Sequence, residues 1–363
     1  MANVVNRRDF LYTLSSVFGG SLFAGSAFNQ LFRLEAFAQD KRWAEIAPFS
    51  FAFVSDCHLV TGMPDSYKLL QESQLFVQEA VKQLNEEKLD FIIFGGDQVE
   101  GVGQDLGNWQ FFLDSAQELN APWSFILGEC DISGVSPIDK VKTFRPDWRA
   151  RGIDTQTPYW SHSPLPAVHI VGLDTSSFNS VKGDVEAEQL QWLKDDLQAN
   201  KDKFTIIFSH HPLLPPAPYG QGLPLDQFLL PQAEAIRAIL EAHPQVALSV
   251  NGHVHVNSQT KANNIWYVSS SSVDVFPCAY KIFHVRADEV SLESKPINFP
   301  ALVKKARKEL VDSAFVSQGK VDGEIFAKLA EGKHESNNAS LAFYGEANSP
   351  VDKPHGKQAK VKG

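Results

Sequence analysis

From residue 48 onward the chain alternates short apolar runs with longer amphipathic stretches. Phe51-Ala-Phe-Val-Ser55 has the length and composition of a buried strand, and the segment from Tyr67 to Lys88 reads as a helix. Phe91-Ile-Ile-Phe94 predicts a second strand, Leu106 to Leu119 a helix, and Trp123-Ser-Phe-Ile-Leu127 a third strand. A crossing rich in Pro, Gly and Asp follows, then the apolar runs Tyr159–Ser161 and Val168–Leu173. Glu186 to Ala199 carries apolar residues at 190, 193 and 197, which is a helical stripe. Phe204–Phe208 predicts a strand, and Pro231 to Ala242 a helix entered at its proline. Strands at 246–250, 265–268, 279–285 and 290–293 complete the order. Strand–helix alternation followed by late hairpin-like strands implies an α/β protein with a mixed sheet, or with two stacked sheets.

The amino terminus reads as an address. Asn6-Arg7-Arg8-Asp9-Phe10-Leu11 places paired arginines before a moderately apolar stretch that runs to about Phe32 and is interrupted by Ser15, Ser16, Gly19, Gly20 and Ser21. It ends at Ala36-Phe37-Ala38, a small-x-small pattern suited to cleavage before Gln39. The segment resembles a twin-arginine export signal. That resemblance implies the twin-arginine export machinery as a partner, a periplasmic or extracellular destination, and no stable membrane span after cleavage. A transmembrane anchor is the competing reading of the same stretch.

Composition narrows the picture further. With 43% hydrophobic residues the 363-residue chain is ordinary globular material, and its formal charge of -10 argues against a nucleic-acid-binding surface. Small anionic substrates stay open, because bound metal ions reverse a local field. Three cysteines are too few for a disulfide framework.

The informative fact is where the acids and histidines fall. Asp56 and His58 follow the first strand, and Asp97 follows the second in Gly95-Gly96-Asp97. Gly128-Glu129-Cys130-Asp131 follows the third, Ser209-His210-His211-Pro212 the strand at 204–208, and Gly252-His253-Val254-His255 the strand at 246–250. Carboxyl ends of strands are where α/β sheets build their sites. Taken singly, each motif is as well explained by turn chemistry or a solvent-facing histidine. Five in order, each after an apolar strand, point to a metal site, and the mixture of carboxylates and imidazoles suits Mn, Fe or Zn.

At these residues the sequence resembles the calcineurin-like metallophosphoesterase family, whose pattern is D-x-H, G-D, G-N-H-[DE], H-x-P and G-H-x-H in that order. The likeness covers roughly Phe49 to Glu293 and extends to Val171-Gly-Leu-Asp174-Thr175 and Gln189-Leu-Gln-Trp-Leu193. It implies a four-layer α/β/β/α sandwich with two mixed β-sheets, and a metallophosphoesterase domain over 39–300 that would follow the twin-arginine signal peptide over 1–38. A charged helical extension over 301–333 and a disordered polar tail over 334–363 would complete the chain. It implies two metal ions, one held by Asp56, His58 and His255, the other by His210 and His253, with Asp97 between them. Two such ions would neutralise a phosphoester's oxygens, lower the pKa of a water and align it with the leaving group. The expected activity is hydrolysis of a small phosphomonoester or phosphodiester.

The third block departs from that pattern. Glu129 stands where the family carries a metal-binding Asn, so it remains a seventh candidate ligand that adds a negative charge. Cys130 stands where the family carries a His that assists the leaving group, and a thiol is a weak acid at neutral pH. Asp131 keeps the acidic partner position, and His211 is an alternative proton source. Cys130, Asp131 and His211 are therefore the candidate catalytic residues. Weak or absent turnover on an intact metal scaffold is the competing expectation. Cys57 and Cys130 follow strands on the same edge, so a disulfide, a soft metal ligand, or simply a small buried residue are open readings. Glu100, three after Asp97, replaces the tyrosine of purple acid phosphatases, which argues against an iron–tyrosinate centre.

Overall fold

A computed structural model of the chain describes Trp43 and residues 46–101, 106–133, 140–178, 180–216, 228–314, 316 and 322–343. The chain divides into Met1–Glu45 and Ile46–Gly363, and every element described below lies in the second unit. The export signal read in residues 1–38 lies outside the described residues.

The first half runs β1 (Phe49–Val54), α1 (Ser73–Asn85), β2 (Phe91–Phe94), α2 (Gly107–Ala116), β3 (Trp123–Phe125), α3 (Lys140–Ala150), β4 (Trp160–Leu165) and β5 (Val168–Gly172). It continues with α4 (Ala187–Ala199), β6 (Phe204–Ser209), α5 (Ala233–Glu241), β7 (Val246–Asn251), β8 (Ser258–Ala262) and β9 (Ile265–Ser269). Then come β10 (Ala279–Val285), β11 (Glu289–Pro296), α6 (Pro300–Asp312), α7 (Gly323–Glu331) and β12 (Asn338–Ala342). The strands form two six-stranded sheets, in the orders β12-β11-β10-β1-β2-β3 and β4-β5-β6-β7-β9-β8. Strands β1, β2 and β3 are parallel, as are β5, β6, β7 and β9, whereas β10, β11, β12, β4 and β8 join antiparallel. Both sheets are therefore mixed.

Parallel neighbours need a crossover, and a helix supplies it while covering the sheet. Helices α1 and α2 connect the parallel strands of the first sheet, and α4 and α5 those of the second. The stripe of α4 that the sequence shows, Leu193 and Leu197, joins Ile236, Ile239 and Leu240 of α5 against Val171, Ile207 and Val246. Between the sheets, Phe51 and Phe53 of β1 meet Phe208 of β6 with ring centroids 5.8 and 5.9 Å apart. Within the first sheet, Phe283, Phe51 and Phe91 share one register row and stack at 4.6 and 5.1 Å. Each such ring contributes roughly 1.5–3 kcal/mol by burial. The core thus lies between the sheets, under the strand ends that carry the site.

Three elements differ from the sequence expectation. Helix α3 forms inside the Pro/Gly/Asp-rich crossing despite Pro146. Its Phe144 and Trp148 pack on Phe125 at 6.4 and 5.3 Å, so tertiary burial outweighs local propensity. Residues 338–342, expected in a disordered tail, form β12 instead and pair with β11. Leu341 and Phe343 are buried there, and the Trp266 indole donates to the Ala342 carbonyl at 3.0 Å. Residues 344–363 lie outside the described residues. The helix expected from Tyr67 begins at Ser73, which leaves Tyr67 and Lys68 in the segment leading to the site. Among the described residues no helix is long and apolar enough to cross a membrane.

Candidate metal centre

Each motif sits on a sharp turn at the carboxyl end of its strand. Asp56, His58, Asp97, His253 and His255 all adopt positive φ, between 42° and 68°. Residues other than glycine are disfavoured there by about 1–2 kcal/mol each, with Asp among the more tolerant. Backbone bonds between turns hold them: Asp56 N to Gly96 O and His58 N to Asp97 O, both 3.0 Å, and Gly252 N to His210 O at 3.2 Å. Gly96 is needed for close approach, since a Cβ on it would stand 2.3 Å from His210 Nδ1.

The turns bring all seven expected ligands together. Asp56, His58 and His255 offer atoms within 4.8 Å of one another, as do Glu129, His210 and His253. Asp56, Asp97 and His210 form a third group that joins the two. His255 Nε2 is 3.2 Å from Asp56 Oδ1 and 3.2 Å from His58 Nε2. On the other side His210 Nε2 is 3.5 Å from Asp97 Oδ2 and 3.1 Å from Glu129 Oε2, and His253 Nδ1 is 3.1 Å from Glu129 Oε1. The Cys130 amide donates to Asp97 Oδ1 at 2.8 Å and fixes that carboxylate.

The donor chemistry fits cations. His210 Nδ1 donates to the Gly95 carbonyl at 2.8 Å, and His58 Nδ1 lies 2.7 Å from Glu100 Oε2. Each bond leaves the Nε2 lone pair facing the cluster, the arrangement that metal-binding histidines use. His210 Nε2, His253 Nε2 and Glu129 Oε2 are buried with no hydrogen-bond partner, which is costly unless a ligand satisfies them. Burial opposes charge on Asp56, yet the imidazoles of His255, His210 and His58 outweigh it and hold the carboxyl well below its usual range. Burial likewise opposes charge on Glu129, and His253 and His210 hold it low. Asp97 and Glu129 overcome burial to push His210 well up. The carboxylates are thus built to be ionised beside positive charge.

The three candidate catalytic residues fare differently. Asp131 accepts from Val99 N at 3.1 Å through Oδ1 and from Gly128 N at 2.9 Å through Oδ2. With both oxygens committed, the residue expected in the acidic partner position braces two loops. Burial and then Asp97 raise its pKa to about 8. The Cys130 sulfur groups with Asp97 and Glu129 and also with His58 and Glu100, and burial followed by Asp97 keeps its thiol well above the ordinary range. His211 is clamped by Thr175, whose hydroxyl stands 2.8 Å from Nδ1 and accepts from His211 N at 3.2 Å. Its Nε2 is 3.3 Å from the Val181 carbonyl and 3.8 Å from Glu129 Oε2. A hydrogen on Nε2 satisfies this arrangement, and burial with His253 holds the ring neutral. Cys57, Cys130 and Cys278 are free thiols, so no disulfide joins the first two.

The sequence reading misses Lys68 and gives Glu100 no role. Lys68 Nζ is 2.6 Å from Glu100 Oε2 and 3.1 Å from His58 Nδ1. Burial and the Lys68 ammonium oppose charge on His58, but Glu100 and Asp274 prevail and lift it to about 9. Glu100 carried a signal in its position three residues after Asp97. Lys68 carried none.

Residues 49–257 match the description of the calcineurin-like phosphoesterases. The chain belongs to that family. Relatives of this calcineurin-like phosphoesterase include the 3',5'-cyclic-nucleotide phosphodiesterase of Nostoc sp., 26% identical over 63% of this chain and 79% of its own. The 3',5'-cyclic adenosine monophosphate phosphodiesterase of Vibrio vulnificus is 27% identical over 66% and 80%. A probable glycerophosphodiester phosphodiesterase of Arcobacter nitrofigilis is 27% identical over 51% and 63%. In fold, a dimetal phosphatase from Danio rerio covers 68% of this phosphoesterase and 96% of its own chain, with a TM-score of 0.55 at 17% identity. Yellow lupin purple acid phosphatase covers 70% and 52% with a TM-score of 0.50 at 12% identity. These two likenesses establish the two-sheet architecture.

Proposed function

We propose that the protein is an exported phosphodiesterase that works with two metal ions, Mn, Fe or Zn. The observation that carries the reading is the convergence of Asp56, His58 and His255 with Glu129, His210 and His253 around Asp97, with buried imidazole nitrogens that make no hydrogen bond. Support for a diester substrate comes from the relatives, which are named as phosphodiesterases. Support for export comes from Arg7-Arg8 and Ala36-Phe37-Ala38.

When bound, the ions would supply Lewis acidity toward phosphate oxygens and a water of lowered pKa. The chain's own contribution is geometric. Gly95 O and Glu100 orient His210 and His58, and Cys130 N orients Asp97. His211, held neutral at the edge of the cluster, can offer its Nε2 hydrogen as a hydrogen bond to a substrate oxygen, without giving up the proton.

A second reading has its own support. Glu129 adds a carboxylate to the centre, and Cys130 offers a protonated thiol with little acidity. Both favour a protein that keeps its metals but turns over slowly or not at all. The deciding measurement is hydrolysis of bis(p-nitrophenyl) phosphate with Mn, Fe, Zn or Co added separately, alongside metal analysis. Turnover that depends on about two bound ions per chain supports the enzyme. Two bound ions with no turnover under any metal establish the second reading.

A further inference from the structure

A small apolar recess adjoins the metal centre and shares His253 and His255 with it. Tyr67 and Phe228 border the same histidines, their ring centroids 6.4 Å from His255 and 5.7 Å from His253. The far wall comes from the carboxyl-terminal helices, Leu310 of α6 and Phe326 of α7. Both wall residues lie beyond residues 49–257, the part that matches the family description. This wall belongs to the chain's own extension.

The extension is fastened at both helices. Lys305 of α6 pairs with Asp65 at 2.6 Å and Glu72 at 2.9 Å, residues flanking Tyr67. The Ala330 carbonyl at the end of α7 accepts from Asn257 N at 3.1 Å, two residues after His255. Arg307 of α6 pairs with Glu324 of α7. The wall is therefore set in place relative to the ligand-bearing turns, and Leu310 and Phe326 are 1% and 6% exposed. A recess lined by aromatic and aliphatic side chains offers a ring an apolar surface to pack against.

Resting on the phosphoester reading, we propose that this recess is a specificity subsite that takes a planar aromatic group carried by the phosphoester. Glycerol-like or short alkyl ester groups would leave its apolar surface wet. An aryl alcohol and a nucleobase both present the required ring.

The test uses the full-length chain loaded with manganese and non-hydrolysable ligands, followed by titration calorimetry. Phenylphosphonate and methylphosphonate carry the same anion and differ only in the group that would enter the recess. Phenylphosphonate should bind at least about tenfold more tightly, the scale at which apolar pockets discriminate. Phe326→Ala, and separately Leu310→Ala, should bring that ratio down at least about threefold, toward unity. The ratio divides out any loss of metal or of folded protein. A ratio near one in the parent, or one unchanged in both variants, overturns the subsite. If neither phosphonate binds, the phosphoester reading itself fails and the subsite with it. Adenosine 5'-phosphate against ribose 5-phosphate then separates the sources, a large preference marking a nucleobase and none an aryl group.

Discussion

At the scale of single residues, the centre depends on groups that touch a ligand histidine rather than a metal. Glu100 Oε2 lies within 2.7 Å of His58 Nδ1 and also accepts from Lys68. Glu100→Gln replaces an ionised acceptor by a neutral amide, so metal affinity should fall about 10–100-fold while the fold survives. Equilibrium dialysis with a melting curve on the same samples checks both halves of that statement. His211 is the residue that substitution should expose as a neutral hydrogen-bond donor to a substrate oxygen. His211→Ala should lower kcat by about 10²–10³, and by similar factors on alkyl and nitrophenyl diesters, because no proton is transferred. A loss confined to alkyl diesters would remove His211 from that role. The candidate ligands were legible in sequence because each lies one to four residues past its own apolar strand, a local arrangement. The Lys68–Glu100–His58 contact was not, because Lys68 and Glu100 are 32 residues apart and meet only through the packing of two turns.

At the scale of elements, the region that sequence misjudged is the one that closes the first sheet. Lys281 of β10 is fully buried and reaches Ser294 Oγ of β11 at 2.8 Å and the Ser336 carbonyl at 2.9 Å. Burial lowers its pKa from 10.5 to about 7. Between those values the unfolded chain holds the proton and the folded one does not, so stability should rise as pH climbs from 7 toward 10.5. Below 7 the cost of burying the charge is fully in force. Lys281→Met abolishes this contribution, so the parent should gain a few degrees of Tm relative to the variant between pH 7 and 10. Parallel melting curves across that range would contradict it. Strands β1 to β7 were readable because each is a continuous apolar run or begins in one. Strand β12 was hidden by polar composition: its energy comes from pairing with β11 and from burying Leu341 and Phe343. Helix α3 was hidden by Pro146, and only the aromatic cluster around Phe125 and Trp109 overrides it.

At the scale of the whole molecule, carboxylates and imidazoles are gathered where the two sheets present their strand ends. Ions that bind the folded centre should stabilise it by mass action, about 2.7 kcal/mol at a free concentration one hundred times Kd. Chelation should therefore lower Tm, and Asp56→Asn should blunt the response to added metal. An unchanged Tm on chelation of metal-loaded protein would count against the dinuclear reading. The architecture was legible from the order of strands and helices, while the C-terminal wall of the aromatic recess was not, since nothing local to α6 or α7 reveals what they face. The bond from His255 to Asp56 joins residues 199 positions apart. No half of the chain can assemble the centre alone, because closing a loop of that length carries an entropic cost that folding of the domain around it must meet. The full centre therefore exists only in the folded chain. If the chain crosses a membrane already folded, the ion pool where translation ends is the first that the finished centre meets.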